Sequence, residues 1–403
     1  MKKKGFNITL GIFIGLIAGV IVGIIMPEWA NTALSVVATI YMSALKMMIF
    51  PLVFTSLVMG IIGIGDIAKT GKVGLHALLW YTGTTALASG LGLVLPRMLH
   101  LGKNAHIVAT KTQVEAATFN GLLDTLQNII PSNPVEAFAS GNMLQVLAFA
   151  VIIGLACLAI QEKADPFINL CDSIYQISIF IISKIMYVTP FGVFACTATV
   201  MHSNGVDTML QLGQVLLALY ITFYLYAFII YGGMVKLFGK YSPIQFFKDI
   251  APAGLNAFGT CSSSATIPIS LKCASEKIGI PEEITSLTLP LGATINMDAV
   301  SILMSFMITF FATALGIDLS IGTMVTVLAC NVLLSIGTPG VPGGAIAAFA
   351  ALCPIAGIPT NQILGVYISI NTLCDMGATC VNVIGDLACS TVLKQTLHFD
   401  KKK

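Results

Sequence analysis

Charge is what this 403-residue sequence has least of: Asp, Glu, Lys and Arg together make up 9% of it, and a single arginine, Arg97, is present. So few charges cannot coat a water-soluble globule of this length. With 56% hydrophobic residues and a mean hydropathy of +0.92, the composition is that of a polytopic membrane protein. The lysines stand at segment ends rather than in one basic run, and the net charge is only +2, which argues against a nucleic-acid partner. Metal-binding cysteine spacings are missing too. The ten cysteines fall almost entirely in apolar context with no C-x-x-C or C-x-x-H, so they read as free thiols filling core space.

What the sequence does hold is long apolar runs. The start, "MKKKGFNITLGIFIGLIAGVIVGIIMP", has a basic head. Its apolar stretch is too long for a signal-peptide core, and no small-residue cleavage site precedes Pro27 and Glu28, so it is expected to be a retained span. Further spans are expected near 32–62, 73–100, 142–162, 167–203 and 208–238, making six helices with the first at 7–27. Lys2 to Lys4, Lys69, Lys72, Lys163, Lys236, Lys240 and Lys248 all fall on alternate sides that belong to one face, which the positive-inside rule makes cytoplasmic. Both termini are then cytoplasmic, in a multi-pass protein of the plasma or inner membrane. The 101–141 segment is the one long polar connection, and its His106 reads as a solvated loop residue.

From residue 250 the pattern breaks. "APAGLNAFGTCSSSATIPISLKCA" and "VLACNVLLSIGTPGVPGGAIAAFAALC" are each an apolar stretch interrupted mid-way by polar residues or by Gly and Pro. Two half-helices meeting at such a break form a re-entrant hairpin, stable only where its freed backbone is buried in protein or faces a watery cavity. Paired interrupted segments point to a transporter site.

Three acids, Asp298, Asp375 and Asp386, lie in this apolar half, and no Lys or Arg stands between Lys277 and Lys394. A carboxylate at membrane depth costs at least about 2.5–3.5 kcal/mol, so compensation has to come from a bound cation or a substrate ammonium. Carboxylate, amide and carbonyl oxygens suit a hard ion such as Na⁺; the lack of clustered His and thiolates excludes zinc and copper. Asp375, Thr379, Asn382 and Asp386 step by 4, 3 and 4 and share one helical stripe. Asn296 and Asp298 do not, so "GATINMDAV" reads as a helix with an unwound centre whose carbonyls are free to coordinate. An intramembrane aspartyl protease would need a G-x-G-D motif, and "NVIGD" lacks it. Ser262, Ser263 and Ser264 have no histidine base in this half beyond His398, so no enzyme activity is expected.

"CSSSATIPI", "LPLGATINMD", "SIGTPGVPG" and "DMGATCVNVIGDL", with "MIFPLVFTSLVMG", "IIPSNPVEA" and "VTPFGVFA", resemble the glutamate-transporter-like dicarboxylate/amino acid:cation symporters over nearly the full chain. The resemblance implies an all-α membrane protein of eight transmembrane helices and two re-entrant hairpins, assembled as a homotrimer in the lipid bilayer and working as an elevator. Scaffold helices would occupy 1–72 and, after the extracellular linker, the rest of 101–204. The transport domain would comprise 73–100, 205–240, hairpin 1 at 241–280, the unwound helix at 281–315, hairpin 2 at 319–355 and the last helix at 359–397.

The same resemblance implies three Na⁺ sites and no other cofactor. One would use Asp386 with carbonyls of Gly292, Asn296 and Asn382. A second would use carbonyls of Thr294, Ser335, Ile336 and Thr338, closing with hairpin 2. The third would use Asp298 and Asn296 with Tyr81, Thr84 and Thr85. Met297 would couple ions to substrate. Asp375 would take a substrate ammonium, and Asn382 with the Ser263 N–H its carboxylate. Thr379, Val341, Pro342, Gly343, Ser262 and Ser264 would stand nearby.

One departure sets the expected substrate. Carriers of acidic substrates in that family usually have Arg three residues after the position of Asp375, where this chain has Ala378. A second carboxylate would be buried without a partner, so an acidic side chain is disfavoured. Val300 and Asn371 point the same way. The expectation is a Na⁺-coupled importer of a small neutral L-amino acid, such as serine, threonine, alanine or cysteine. The alternative is a Na⁺- or H⁺-coupled carrier of acidic amino acids or C4-dicarboxylates.

Overall fold

The computed structural model describes residues 8–69, 72–103, 130–140 and 142–397. The basic head Lys2 to Lys4, most of the polar linker with His106, and His398 lie outside them. Among the described residues all regular structure is helical.

α1 (Ile8–Ile25) is followed by α2 (Glu28–Met47) and α3 (Ile49–Lys69). The expected single helix at 32–62 is these last two, joined at Met48, which is right-handed at φ −89° and ψ −7°. α4 (Lys72–Met98), the short α5 (Pro134–Ser140) and α6 (Met143–Ile160) come next. Asn142 opens α6 by accepting a hydrogen bond from the Gln145 N–H at 3.4 Å.

α7 (Asp165–Tyr226) covers two expected helices. The loop expected at 204–207 is reduced to one non-helical residue, Gly205, at φ 76° and ψ −179°, a conformation open to glycine alone. A π-turn at Ala227–Tyr231 leads into α8 (Gly232–Leu237).

The breaks read from the second half fall where Gly, Pro and polar residues stand. α9 (Pro243–Thr260) ends at Cys261, which is left-handed at φ 50°. Ser262 is extended, and its Oγ accepts from the Ala265 N–H at 3.1 Å to start α10 (Ser263–Lys272). α11 (Glu282–Ile295) and α12 (Asp298–Ala314) are separated by Asn296 and Met297, both out of helical geometry, so the unwound centre is there. α13 (Ile321–Gly337) and α14 (Gly344–Ile355) are the arms of the second hairpin, and both are shorter than a membrane span. α15 (Thr360–Thr396) closes the fold.

Among the described residues, six runs are long and apolar enough to cross a bilayer, and Gln145–Ser203 alone holds two of the expected helices. Two of the six are central rather than peripheral. The apolar window of α11 and α12 is 89% buried and that of α15 is 100% buried. Around this pair pack α4, the two hairpins and the end of α7 from Tyr220 to Tyr226; α1, α2, α3, α6 and the earlier part of α7 form a second layer. The second layer meets hairpin 2, whose arms pack on α3 and α6, whereas the main neighbours of hairpin 1 are α11 and α15.

Candidate functional site

All three membrane acids are buried, and none has a cationic partner within salt-bridge distance among the described residues. Each solves its burial differently.

Asp298 begins α12 and is enclosed by hydroxyls. Thr85 of α4 donates to its Oδ1 at 2.6 Å, and Tyr231 and Tyr226 donate to its Oδ2 at 2.7 and 3.2 Å. Tyr226 also reaches the Thr84 carbonyl at 2.8 Å, so Thr84 and Thr85 both stand beside Asp298. The two tyrosines are a finding that sequence reading missed. They are five residues apart, on different faces of an α-helix; the π-turn brings them together, rings T-shaped at 5.3 Å. Tyr81, expected with Asp298, donates to the Thr288 carbonyl at 3.0 Å and lies against Gly292 and Asp386.

Asp386 faces the unwound centre. Asn296 Nδ2 donates to its Oδ1 at 2.8 Å and to the Asn382 carbonyl at 3.3 Å. Gly292 closes the other side; a Cβ there would lie 2.3 Å from Asp386 Oδ1, so no side chain fits. The Asn296 Oδ1 is buried and has no hydrogen-bond donor. An orphaned amide oxygen beside a carboxylate is a costly arrangement for a protein to keep, and it fits a hard cation. Asn382 Oδ1 accepts from the Ala299 N–H at 2.8 Å and its Nδ2 contacts Met297 Sδ at 3.3 Å, so Met297 links the last helix to the break in the middle one.

Asp375 opens onto space. It lines a cavity of about 330 Å³ bounded by the hairpin 1 apex at Cys261, the hairpin 2 apex at Pro342 and Gly343, and Tyr41 and Met186 of the outer layer. Thr379 Oγ1 donates to Asp375 Oδ1 at 3.2 Å, and the Gly343 N–H also bonds to this carboxylate. Among the described residues, no Lys or Arg lines the cavity. Gly343 is at φ 84°, and a Cβ on it would come 3.0 Å from Met186 Sδ, so the apex needs glycine on both counts.

The hairpin apices meet. Ser262 Oγ and the Ser264 N–H both donate to the Gly340 carbonyl, at 2.9 and 3.3 Å. Gly340 also sits against the Ala293 carbonyl, which brings the hairpin 2 apex onto the end of α11, beside Thr294. Ser335, Ile336 and Thr338 are on this apex. The Ser335 carbonyl accepts from the Thr338 N–H at 3.4 Å, and Ile336 is packed on Gly60 of α3. Ser263, Val300, Ala378 and Asn382 are buried and off the cavity wall.

Discontinuous helices meeting at unpaired buried carboxylates, within a bundle of long apolar helices, define the class: a multi-pass secondary transporter. The chain belongs to the Sodium:dicarboxylate symporter family, which it matches over residues 8–396. It is 30% identical over 369 residues to the "Proton/sodium-glutamate symport protein" of Bacillus caldotenax, covering 89% of this chain and 86% of that one. It is 31% identical over 372 residues to the "C4-dicarboxylate transport protein" of Bacillus subtilis (strain 168), covering 90% and 87%. The family is one of symporters, not enzymes.

Proposed function

We propose that this protein is a Na⁺-coupled importer of a small neutral L-amino acid. The observation that carries the reading is the Asp375 cavity: one buried carboxylate to take an ammonium, and no lysine or arginine on the wall to take a second acid. Ala378, three residues further along α15, is fully buried and supplies no charge. An acidic side chain would add a second buried negative charge at a cost of several kcal/mol.

In this reading Asp298 and Asp386, with the Asn296 oxygen, hold the coupling ions, and the carbonyls at Ser335, Ile336 and Thr338 complete a site when hairpin 2 is closed. Met297 relays occupancy between them and the substrate. The packing of hairpin 2 on α3 and α6, with Gly259 and Thr260 at the hairpin 1 apex exposed, suits a binding unit displaced toward the side on which hairpin 1 lies. That is one end of an elevator stroke, with α1 to α3, α6 and the first part of α7 as the scaffold and a homotrimer as the assembly.

A second reading is favoured by the relatives, whose names specify glutamate and C4-dicarboxylates. The comparisons support that reading better than the first, while the residues on the cavity wall support the first. Proteoliposome uptake of labelled serine, threonine, alanine, aspartate and succinate, under an inward Na⁺ gradient with K⁺ and choline controls, decides between them. Na⁺-dependent uptake of neutral amino acids without aspartate or succinate is expected; the reverse overturns the proposal and requires a cation elsewhere.

A further inference from the structure

One residue on the wall of the Asp375 cavity carries an acceptor without a donor among the described residues. Asn371 lies one helical turn before Asp375 on α15, is 3% exposed, and lines the same cavity. Its Oδ1 is buried with no donor. A buried amide oxygen left without a donor is a standing cost in the protein as described, and it is removed when a ligand brings an N–H or O–H to it.

Thr372 also stands on that wall, and three other polar groups there are engaged. The Tyr41 hydroxyl donates to Thr189 Oγ1 at 3.0 Å, the Thr260 hydroxyl donates to the Asn256 carbonyl at 2.8 Å, and Asp375 holds Thr379 and the Gly343 N–H. Residues four apart on a helix have Cβ atoms about 5–6 Å apart on one face. An amino acid whose ammonium sits on Asp375 therefore has its side chain within reach of Asn371.

We infer that Asn371 is a specificity-determining residue: it accepts a hydrogen bond from the side chain of the substrate, and so selects neutral amino acids bearing a hydroxyl or carboxamide (serine, threonine, asparagine, glutamine) over aliphatic ones of the same size. The inference rests on the neutral-substrate reading above. A site built to hydrogen-bond a substrate group rejects the analogue lacking it, because its own polar atom is then left unpaired, whereas an apolar pocket discriminates isosteres weakly.

Threonine and valine are close to isosteric and differ in that one hydroxyl, so they are the probes. KM is measured for each by proteoliposome uptake under an inward Na⁺ gradient, for the natural protein and Asn371→Leu. The natural protein is expected to favour threonine by about tenfold or more. Asn371→Leu, of similar volume but with no acceptor, brings the ratio toward one through the KM of threonine. A ratio near one in the natural protein overturns the inference without any variant, which keeps it testable if Asn371→Leu does not fold. Neutral uptake with a threonine preference that survives Asn371→Leu overturns the role of Asn371 and leaves the neutral reading standing. Uptake of aspartate or succinate alone overturns both.

Discussion

Single residues decide how this protein tolerates negative charge inside a membrane. Asp298 has no positive partner but three hydroxyl donors, from Thr85, Tyr226 and Tyr231. Hydroxyls rotate, so they stabilise the bare carboxylate and turn their oxygens to a cation when one enters. Tyr231→Phe removes the closer tyrosine donor without changing shape. It is expected to raise the Na⁺ concentration for half-maximal uptake by about tenfold, as loss of groups that orient metal ligands does; an unchanged Na⁺ dependence would remove Tyr231 from the site. The three acids were legible because a carboxylate in an apolar run has no structural excuse. Tyr226 and Tyr231 were not, since a tyrosine in a membrane helix is unremarkable and only the π-turn places the two on one face. Tyr81 was placed with Asp298 by the family resemblance; its hydroxyl donates to the Thr288 carbonyl.

At the scale of elements, the fold depends on where helices stop. Gly, Pro and Ser interrupt apolar runs at Cys261–Ser262, at Asn296–Met297 and between Thr338 and Gly343, and each interruption appears where the sequence places it. Such breaks are visible because they contradict the surrounding composition. The join at Met48 and the merging of two helices at Gly205 were harder to foresee, as neither carries a run of polar residues. Ser262 serves both hairpins at once, accepting from the Ala265 N–H at the start of α10 and donating to the Gly340 carbonyl of hairpin 2. Ser262→Ala removes both bonds at a cost of about 1 kcal/mol for the cap. Faster amide hydrogen exchange is expected at both apices, around 262–266 and around 340. Acceleration confined to hairpin 1 would show that the apices do not depend on each other.

The whole molecule is two layers meeting along hairpin 2, and the proposed transport cycle requires them to slide. Gly60 of α3 and Ile336 of hairpin 2 are close enough that a Cβ on Gly60 would lie 2.9 Å from Ile336 Cγ2. A Gly60→Cys, Ile336→Cys pair thus stands at a direct contact between the layers and is the pair to cross-link, a disulfide needing Cβ atoms about 3.5–4.5 Å apart. The ten native cysteines are buried, so the new pair is the one open to a mild oxidant. Oxidation is expected to stop uptake and reduction to restore it. Undiminished uptake by the fully cross-linked protein would exclude relative movement of these layers. The contact between Gly60 and Ile336 could not be read from sequence, because the two residues stand nearly 300 positions apart.

The central claim is that the buried carboxylates hold cations carried together with a neutral amino acid. It is tested most directly by ²²Na⁺ influx into proteoliposomes, with and without threonine outside, for the natural protein and Asp298→Asn. The account predicts that threonine accelerates ²²Na⁺ entry in the natural protein, that aspartate and succinate do not, and that Asp298→Asn loses the coupled flux by about 100-fold through lost ion affinity. Sodium entry that ignores threonine, or that only an acidic substrate accelerates, would contradict it.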